Sequence, residues 1–579
     1  MPEDLLNLLS RLYETAGKAR AIAAEVIPIE HVETEGSSVV IWSSVLKEAS
    51  KRGCLVELVQ RVATQYPQDK EALLAAHARY EPAVSAKTTP SADDRNDALG
   101  PSRTQGLTKR TKRVLLVKPA IRYPIEDQKF DVPLGLWVLR SYLEQYGIAA
   151  EIFDERLEPR RTGAKLEDAI RDFDLIGVSA CTCEVYPAID CLQRAKALGK
   201  KTVMGGIFTS SNQQYLLSHN AVDFVIPGIA TRGLKSLVYA LSDIPSLPSA
   251  PPYGVYSRTE SFLPGPTIDT LPSISHSMLD EIVHRYGEEL GGKIDVVTAR
   301  GCTFRCDFCS IQKETAREYI TRNEAPVIDE ILYYARAKFT RLSIKDEIFP
   351  AIRSRAISIL EKAHTRLTKE NLKVQYKIKC RLDSFLDEPS LISRFAALGV
   401  REIQFGVETL EPTTLSLIGK TCPSLKRIED LFHEVVSNGI MVNASFILGL
   451  PGESADHYLR LVDFVEKAKP RNSYKIYLNF NTPHPTGSAW PLSRGDRLVT
   501  RNLDCFTHKI PVMCPGSMSS KAARRSVLEA YQTIAEASES SDFNPPIPER
   551  HQHRFLEQTL DFRDSPLVTR AEAERDDDV

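Results

Sequence analysis

The stretch TARGCTFRCDFCSIQ, residues 298–312, places Cys302, Cys306 and Cys309 within eight residues at C-x-x-x-C-x-x-C spacing, with Phe308 directly before the third cysteine. Three thiols this close can hold a metal, pair as disulfides or simply pack. The rest of the chain helps to decide among them. It has 579 residues, of which 42% are hydrophobic and 26% charged, a length that suits roughly three or four domains. A formal charge of −2 and a pI near 6.7 give no global attraction to nucleic acid or anionic lipid. The first residues, MPEDLLNLLSRLYE, are acidic where a signal peptide is basic, and no apolar run reaches the length of a membrane span. A cytoplasmic protein is expected, and there clustered cysteines serve metal binding or catalysis more often than disulfides.

Outward from the cysteines, residues 290–492 carry six strand candidates: KIDVVTARG, RLSIKDEIF, VQYKIKCR, EIQFGVET, MVNASFILGLP and SYKIYLNFNTPHP. Each but the last is followed by a helical stretch. Six β–α repeats are too few for an eightfold barrel, so the pattern predicts a partial (β/α)6 barrel of the TIM type, with its chemistry at the carboxyl ends of the strands. The cysteines fall in the loop after the first of these strands. Thiolates are the usual ligands of iron–sulfur clusters, and three ligands on four irons leave one iron open. Zinc fits less well, because no fourth ligand follows at zinc-finger spacing.

This spacing, with an aromatic residue before the last cysteine, resembles the radical S-adenosylmethionine superfamily. The resemblance implies a 4Fe-4S cluster on Cys302, Cys306 and Cys309, whose open iron chelates S-adenosylmethionine and whose electron cleaves it to a 5′-deoxyadenosyl radical. It further implies cofactor-binding roles for residues at the strand ends. Phe308, Ile447 and Leu450 would pack the adenine. Asp346 and Glu347 would lie near the amino group or ribose, Arg381 would pair the carboxylate, and Glu408, in the position of the G-x-E motif, would bind a ribose hydroxyl or the amino group. Gly449 and Gly452 supply a turn, His484 is a candidate to face substrate, and Cys380 lies beside the rim.

Ahead of this barrel, residues 113–265 alternate short apolar strands with amphipathic helices, which predicts a parallel sheet covered on both faces. Its strand ends carry Ser179, Gly205, Gly206, Thr209 and Gly228, where a bulky ligand could approach the backbone. The order of elements resembles the Rossmann-like cobalamin-binding domain that precedes many radical S-adenosylmethionine enzymes, and IDTLPSISHSMLD, residues 268–280, resembles the connector of that class within residues 266–289. GGIFTSS and PGIATRGLKSL replace the usual glycine motifs of that domain. No D-x-H-x-x-G stretch offers cobalt a histidine, so any bound cobalamin would lack one from this domain.

Residues 1–82 read as helical and resemble the bacterial effector-associated domains, small death-fold-like bundles that pair with matching copies. Residues 83–112 read as a flexible linker, residues 493–560 as a helical cap and residues 561–579 as a charged tail. The fold class expected is therefore multidomain α/β: N-terminal helical bundle, Rossmann-like domain, partial barrel and helical cap. The function implied is methylation of an unactivated centre. Cyclisation or rearrangement, or recruitment into a defence or signalling assembly through the bundle, are the alternatives. The partners implied are a small-molecule or peptide substrate, a flavodoxin or ferredoxin as electron donor and a protein with a matching bundle, without membrane or nucleic acid.

Overall fold

The computed structural model describes residues 112–121, 131–242, 254–258, 271–304, 306, 308–311, 319–385, 388–420, 423–468 and 473–482, together with residues 9, 45–46, 62, 497–498, 503 and 513–514. The chain divides into two compact units, Met1–Ser102 and Arg103–Val579. In the first, Leu9, Val45, Leu46 and Val62 are helical and buried. The expected bundle otherwise lies outside the described residues, as do residues 83–111 of the linker, the tail and all but five positions of the cap. No helix among the described residues is long and apolar enough to cross a membrane.

The second unit holds two six-stranded sheets. The first runs in the order β2-β1-β3-β4-β5-β6, from β1 (Val114–Lys118), β2 (Ala150–Asp154), β3 (Leu175–Ser179), β4 (Lys201–Gly205), β5 (Phe224–Val225) and β6 (Tyr256–Ser257). All pairings are parallel except β5 with β6. Helices α1 (Leu134–Gln145), α2 (Leu166–Arg171), α3 (Val185–Ala197) and α4 (Gln213–Ser218), with a single helical turn at Glu158–Arg161, connect the first five strands; α5 (Thr231–Leu241) follows β5. β1 and β3 are buried along nearly their whole length because helices cover both faces, which is why VLLVK and LIGVS read as apolar runs without alternation. The strand order reverses between β1 and β3, the switch point where such sheets open a ligand crevice at their carboxyl edge.

A small apolar cleft lies there, lined by Leu116, Gly177, Ser179, Gly205, Gly206 and Leu234 among others. Glycines make the space. A Cβ on Gly177 would stand 3.2 Å from Leu116 and 3.3 Å from Val203, and one on Gly206 (φ +97°) would stand 2.5 Å from the Ala180 carbonyl oxygen.

Helix α6 (His276–Leu290) leads into the second sheet and buries Met278, Leu279, Ile282 and Tyr286. Each such side chain contributes on the order of 2 kcal/mol. Tyr286 packs edge-to-face on Trp137 of α1, and Glu281 takes both oxygens to the Arg140 guanidinium at 2.9 and 2.8 Å. The connector joins the same seam: the Ser141 hydroxyl donates to the Ser273 carbonyl, and the Leu271 N–H donates to the Thr321 carbonyl. One hydrophobic core therefore runs from Leu116 and Trp137 through Tyr286 to Ile294, Phe405 and Phe446.

The second sheet contains all six expected barrel strands: β7 (Lys293–Val296), β10 (Arg341–Ile344), β11 (Gln375–Arg381), β12 (Val400–Glu408), β13 (Met441–Leu448) and β14 (Tyr474–Phe480). Between β7 and β10 lies a small hairpin, β8 (Ala299–Arg300) with β9 (Ile320–Thr321). The six are parallel and in sequential order. Helices α7 (Glu324–Arg336), α8 (Arg353–Lys369), α9 (Ser390–Ala397), α10 (Leu425–Ser437) and α11 (Ala455–Ala468) link them. These strands alternate, as in QYKIKCR, because their outer face meets helices while the inner face lines the concave side.

The glycine geometry predicts unequal costs for two alanine substitutions. Gly163→Ala, at φ +69° with nothing within 4 Å of the new Cβ, costs about 1 kcal/mol from backbone strain alone. Gly206→Ala drives a Cβ into backbone atoms of Ala180 and costs roughly 3 kcal/mol. Urea midpoints of the two variants check this order.

Candidate functional site

The cysteine loop begins where β7 ends, and its first residues are clamped by side chains from three other elements. The wholly buried Asp346, just past β10, accepts the backbone N–H of Thr298 at 2.6 Å and of Ala299 at 3.0 Å, and also the Thr298 hydroxyl. Burial pushes its pKa up, against the pull of those donors. Arg355 of α8 donates to the Thr298 carbonyl at 3.1 Å and the Arg322 carbonyl at 2.7 Å. Arg322, paired inside the protein with Glu330 of α7 at 2.6 Å, donates to the Val297 carbonyl. Glu347 accepts the Gly301 N–H at 3.2 Å and holds Arg300 at 3.0 Å.

Cys302, Cys306 and Cys309 follow, each half-buried, with the Cys309 N–H donating to the Cys306 carbonyl at 3.0 Å. Burial raises all three thiol pKa values, that of Cys309 to about 12. Metal ligation must therefore displace protons. Arg381, at the end of β11, supports the middle of the loop. Its guanidinium sits 3.8 Å from the centre of the Phe304 ring and 3.7 Å from the Cys306 sulfur, while Asp383 pairs with it at 2.8 Å.

The donor set fits an iron–sulfur cluster. It is three thiols on one short loop, the ligand type that such clusters take.

The remaining strand ends add an apolar patch and a strained acid. Phe308 and Ile447 pack against Leu415, Ile418 and the fully buried Leu450. Glu408 ends β12 at φ +67°, where the register with β13 shifts. Such conformations in a non-glycine residue cost free energy and gather at functional sites. Its carboxylate pairs with Lys420 at 2.7 Å, and Lys420 also donates to the Gly406 carbonyl. A Cβ on Gly406 would lie 2.5 Å from the Glu408 carboxylate, so the glycine of G-x-E makes room for the acid.

The expected residues thus divide by place. The three cysteines, Phe308, Arg381, Glu408, Ile447 and Leu450 gather at the carboxyl ends of the second sheet, with Glu347 at the root of the loop. Asp346 is turned entirely into the protein. In the first sheet Ser179, Gly205 and Gly206 line the cleft. Thr209 is buried and donates to the Gly206 carbonyl at 2.7 Å, close to that of Ile226, and Gly228 (φ +69°) follows β5. His484 lies outside the described residues.

Sequence reasoning missed Glu453. Almost fully buried, it accepts the N–H groups of Gly449 and Leu450 at 2.8 and 3.1 Å and the Tyr458 hydroxyl at 2.9 Å, tying the turn after β13 to α11. The spacing from GLPG to Glu was the available signal. Burial raises its pKa to about 7.

Residues 296–465 match the family model of the Radical SAM superfamily. The chain carries a radical SAM domain and is an enzyme, and a 4Fe-4S cluster and S-adenosylmethionine are the cofactors that this domain implies. An uncharacterised methyltransferase of Pyrococcus horikoshii is 26% identical over 438 residues, covering 73% of this chain and 92% of that protein. The anaerobic magnesium-protoporphyrin IX monomethyl ester cyclase of Rubrivivax gelatinosus is 26% identical over 422 residues, 68% of this chain and 72% of that one. Among solved structures, the radical S-adenosylmethionine methyltransferase TsrM from Kitasatospora setae, with cobalamin and a [4Fe-4S] cluster bound, superimposes with a TM-score of 0.59 at 17% identity. The match covers 79% of this chain and 94% of TsrM, and supports the two-sheet fold.

Two consequences are measurable. Asp346→Asn leaves the Thr298 donors badly matched and lowers stability by about 2–3 kcal/mol; iron bound after anaerobic reconstitution falls with it, whereas Glu347→Gln retains most of the iron. The second concerns pH. Glu453 holds its proton more tightly when folded, so its contribution is complete below the unfolded pKa of 4.5 and is lost as pH rises through about 7. Wild-type stability should therefore fall relative to Glu453→Gln by roughly 3 kcal/mol between about pH 5 and 8, read from urea midpoints.

Proposed function

We propose that this enzyme is a cobalamin-dependent radical S-adenosylmethionine methyltransferase acting on an unactivated centre. The observation that carries the reading is the pairing, in one compact unit, of a thiol loop on a partial barrel with a glycine-floored apolar cleft at the switch point of a Rossmann-like sheet. The cleft fits a flat, largely apolar group: a Cβ at Gly177 would press on Leu116 and Val203 of its lining, and its walls include Leu116, Leu136, Leu139 and Leu234. Ser179, Gly205 and Gly206 would hold the corrinoid edge there. When bound, the cluster with S-adenosylmethionine supplies one-electron cleavage and the corrinoid supplies a methyl carrier.

The protein's own part is placement. Cys302, Cys306 and Cys309 would hold the cluster on a loop that Asp346 and Arg355 fix at its root. Phe308 and Ile447 offer the adenosyl group an apolar wall, and Arg381 and Glu408, each already in an ion pair, place charge at the rim. Ring closure is the second reading, supported by the similarity to the Rubrivivax cyclase. The reductant would be a flavodoxin or ferredoxin.

The test is anaerobic reconstitution of the wild type and of a Cys302/Cys306/Cys309→Ala variant. The wild type should bind about four irons and about one corrinoid and cleave S-adenosylmethionine with dithionite. The variant should lose iron and cleavage and keep the corrinoid. Iron without corrinoid in the wild type would remove methylation through cobalamin from consideration.

A further inference from the structure

The concave face of the second sheet is charged. On β11, Tyr376, Ile378 and Cys380 are buried against the outer helices, so Lys377 and Lys379 between them point to the inner face. The register sets Lys377 beside Glu402, Lys379 beside Gln404 and Asn443 beside Lys475. Ion pairs account for most of this wall. Lys345 meets Asp131 at 3.2 Å and Asp295 at 3.3 Å; Lys377 and Lys475 share Glu402 at 2.7 and 3.8 Å. At the rim above, Arg381 pairs with Asp383, Arg300 with Glu347 and Lys420 with Glu408.

Among the described residues Lys345, Lys377 and Lys475 of this wall stand in ion pairs, and Lys379, half-buried between them, does not. Burial, and after it the neighbouring charges of Lys345 and Lys377, lower the Lys379 pKa, while the carboxylates of Glu347 and Asp295 pull it the other way. Gln404 beside it adds a neutral donor. Two carboxylates nearby, Glu402 and Asp295, would repel a dianion, so the wall suits a single negative charge.

We propose that Lys379, with Gln404, anchors a carboxylate of the substrate inside the barrel, so that the substrate is an organic monoacid at this end. Lys379 stands two residues below Arg381, roughly 7 Å along the strand. With its acid held there, the body of the molecule would extend to the level of the cysteine loop. This inference rests on the reading of the barrel as the reaction chamber.

The test reads the amine directly. The reconstituted full chain is reductively methylated with [13C]formaldehyde and cyanoborohydride, and labelling at Lys379 is followed by mass spectrometry of its peptide. Benzoate, benzamide and S-adenosylmethionine serve as separate protecting probes. Benzoate at twice its dissociation constant should slow labelling about threefold, and benzamide and S-adenosylmethionine should leave it unchanged. Equal protection by benzoate and benzamide, protection by neither, or a Lys379 that does not label at all overturns the proposal. Protection by S-adenosylmethionine alone assigns the anion to that cofactor and overturns it as well. Iron content and S-adenosylmethionine cleavage on the same preparation report separately on the radical-enzyme reading.

Discussion

The carboxylate of Asp346 is the point on which the candidate cluster site turns. It is a charge taken out of water and repaid by three donors from two consecutive residues, Thr298 and Ala299. Those residues are the last fixed backbone before the cysteines. Arg355 and Arg322 hold the same segment from the carbonyl side, so both polar edges of the chain are committed before the loop departs. A loop that must present three soft ligands at fixed spacing gains nothing from rigid cysteines if its root can swing. Here the root is fixed by elements that contribute no ligand of their own.

Much of the architecture was legible because it follows periodicity. The apolar runs of the first sheet and the alternating runs of the second gave the right elements, since burial on two faces and on one face leave different patterns in sequence. The cysteine loop was legible for a different reason: its three thiols fall within eight residues, so their being on one loop needs no tertiary information. The glycines of the cleft were legible as strand-end residues, but the reason they are needed, the Leu116, Val203 and Ala180 atoms pressing on them, is a matter of tertiary contact.

Direction was much less legible than position. In SIKDEIF the sequence offers two adjacent acids, and nothing in it says that one enters the core while the other turns to Gly301. In YKIKC nothing in the sequence says that the face carrying the lysines is a concave wall; that is known only once six strands stand side by side. Glu408 and Lys420 lie twelve positions apart, too far for a local pattern, and a bulge with a left-handed residue is what lets them meet. Glu453 was overlooked because a single acid after a glycine turn looks like any solvated helix start.

The seam formed by Trp137, Tyr286 and the Arg140–Glu281 pair makes the two sheets share one interior. In modular terms the chain has its natural cut before residue 103, not between the sheets. Removing the first sheet alone would expose the part of the core that it shares with the second, so the two sheets depend on each other for burial. Changes of chemistry on this scaffold are thereby confined to the loops and inner-wall residues, where a new side chain disturbs no shared packing.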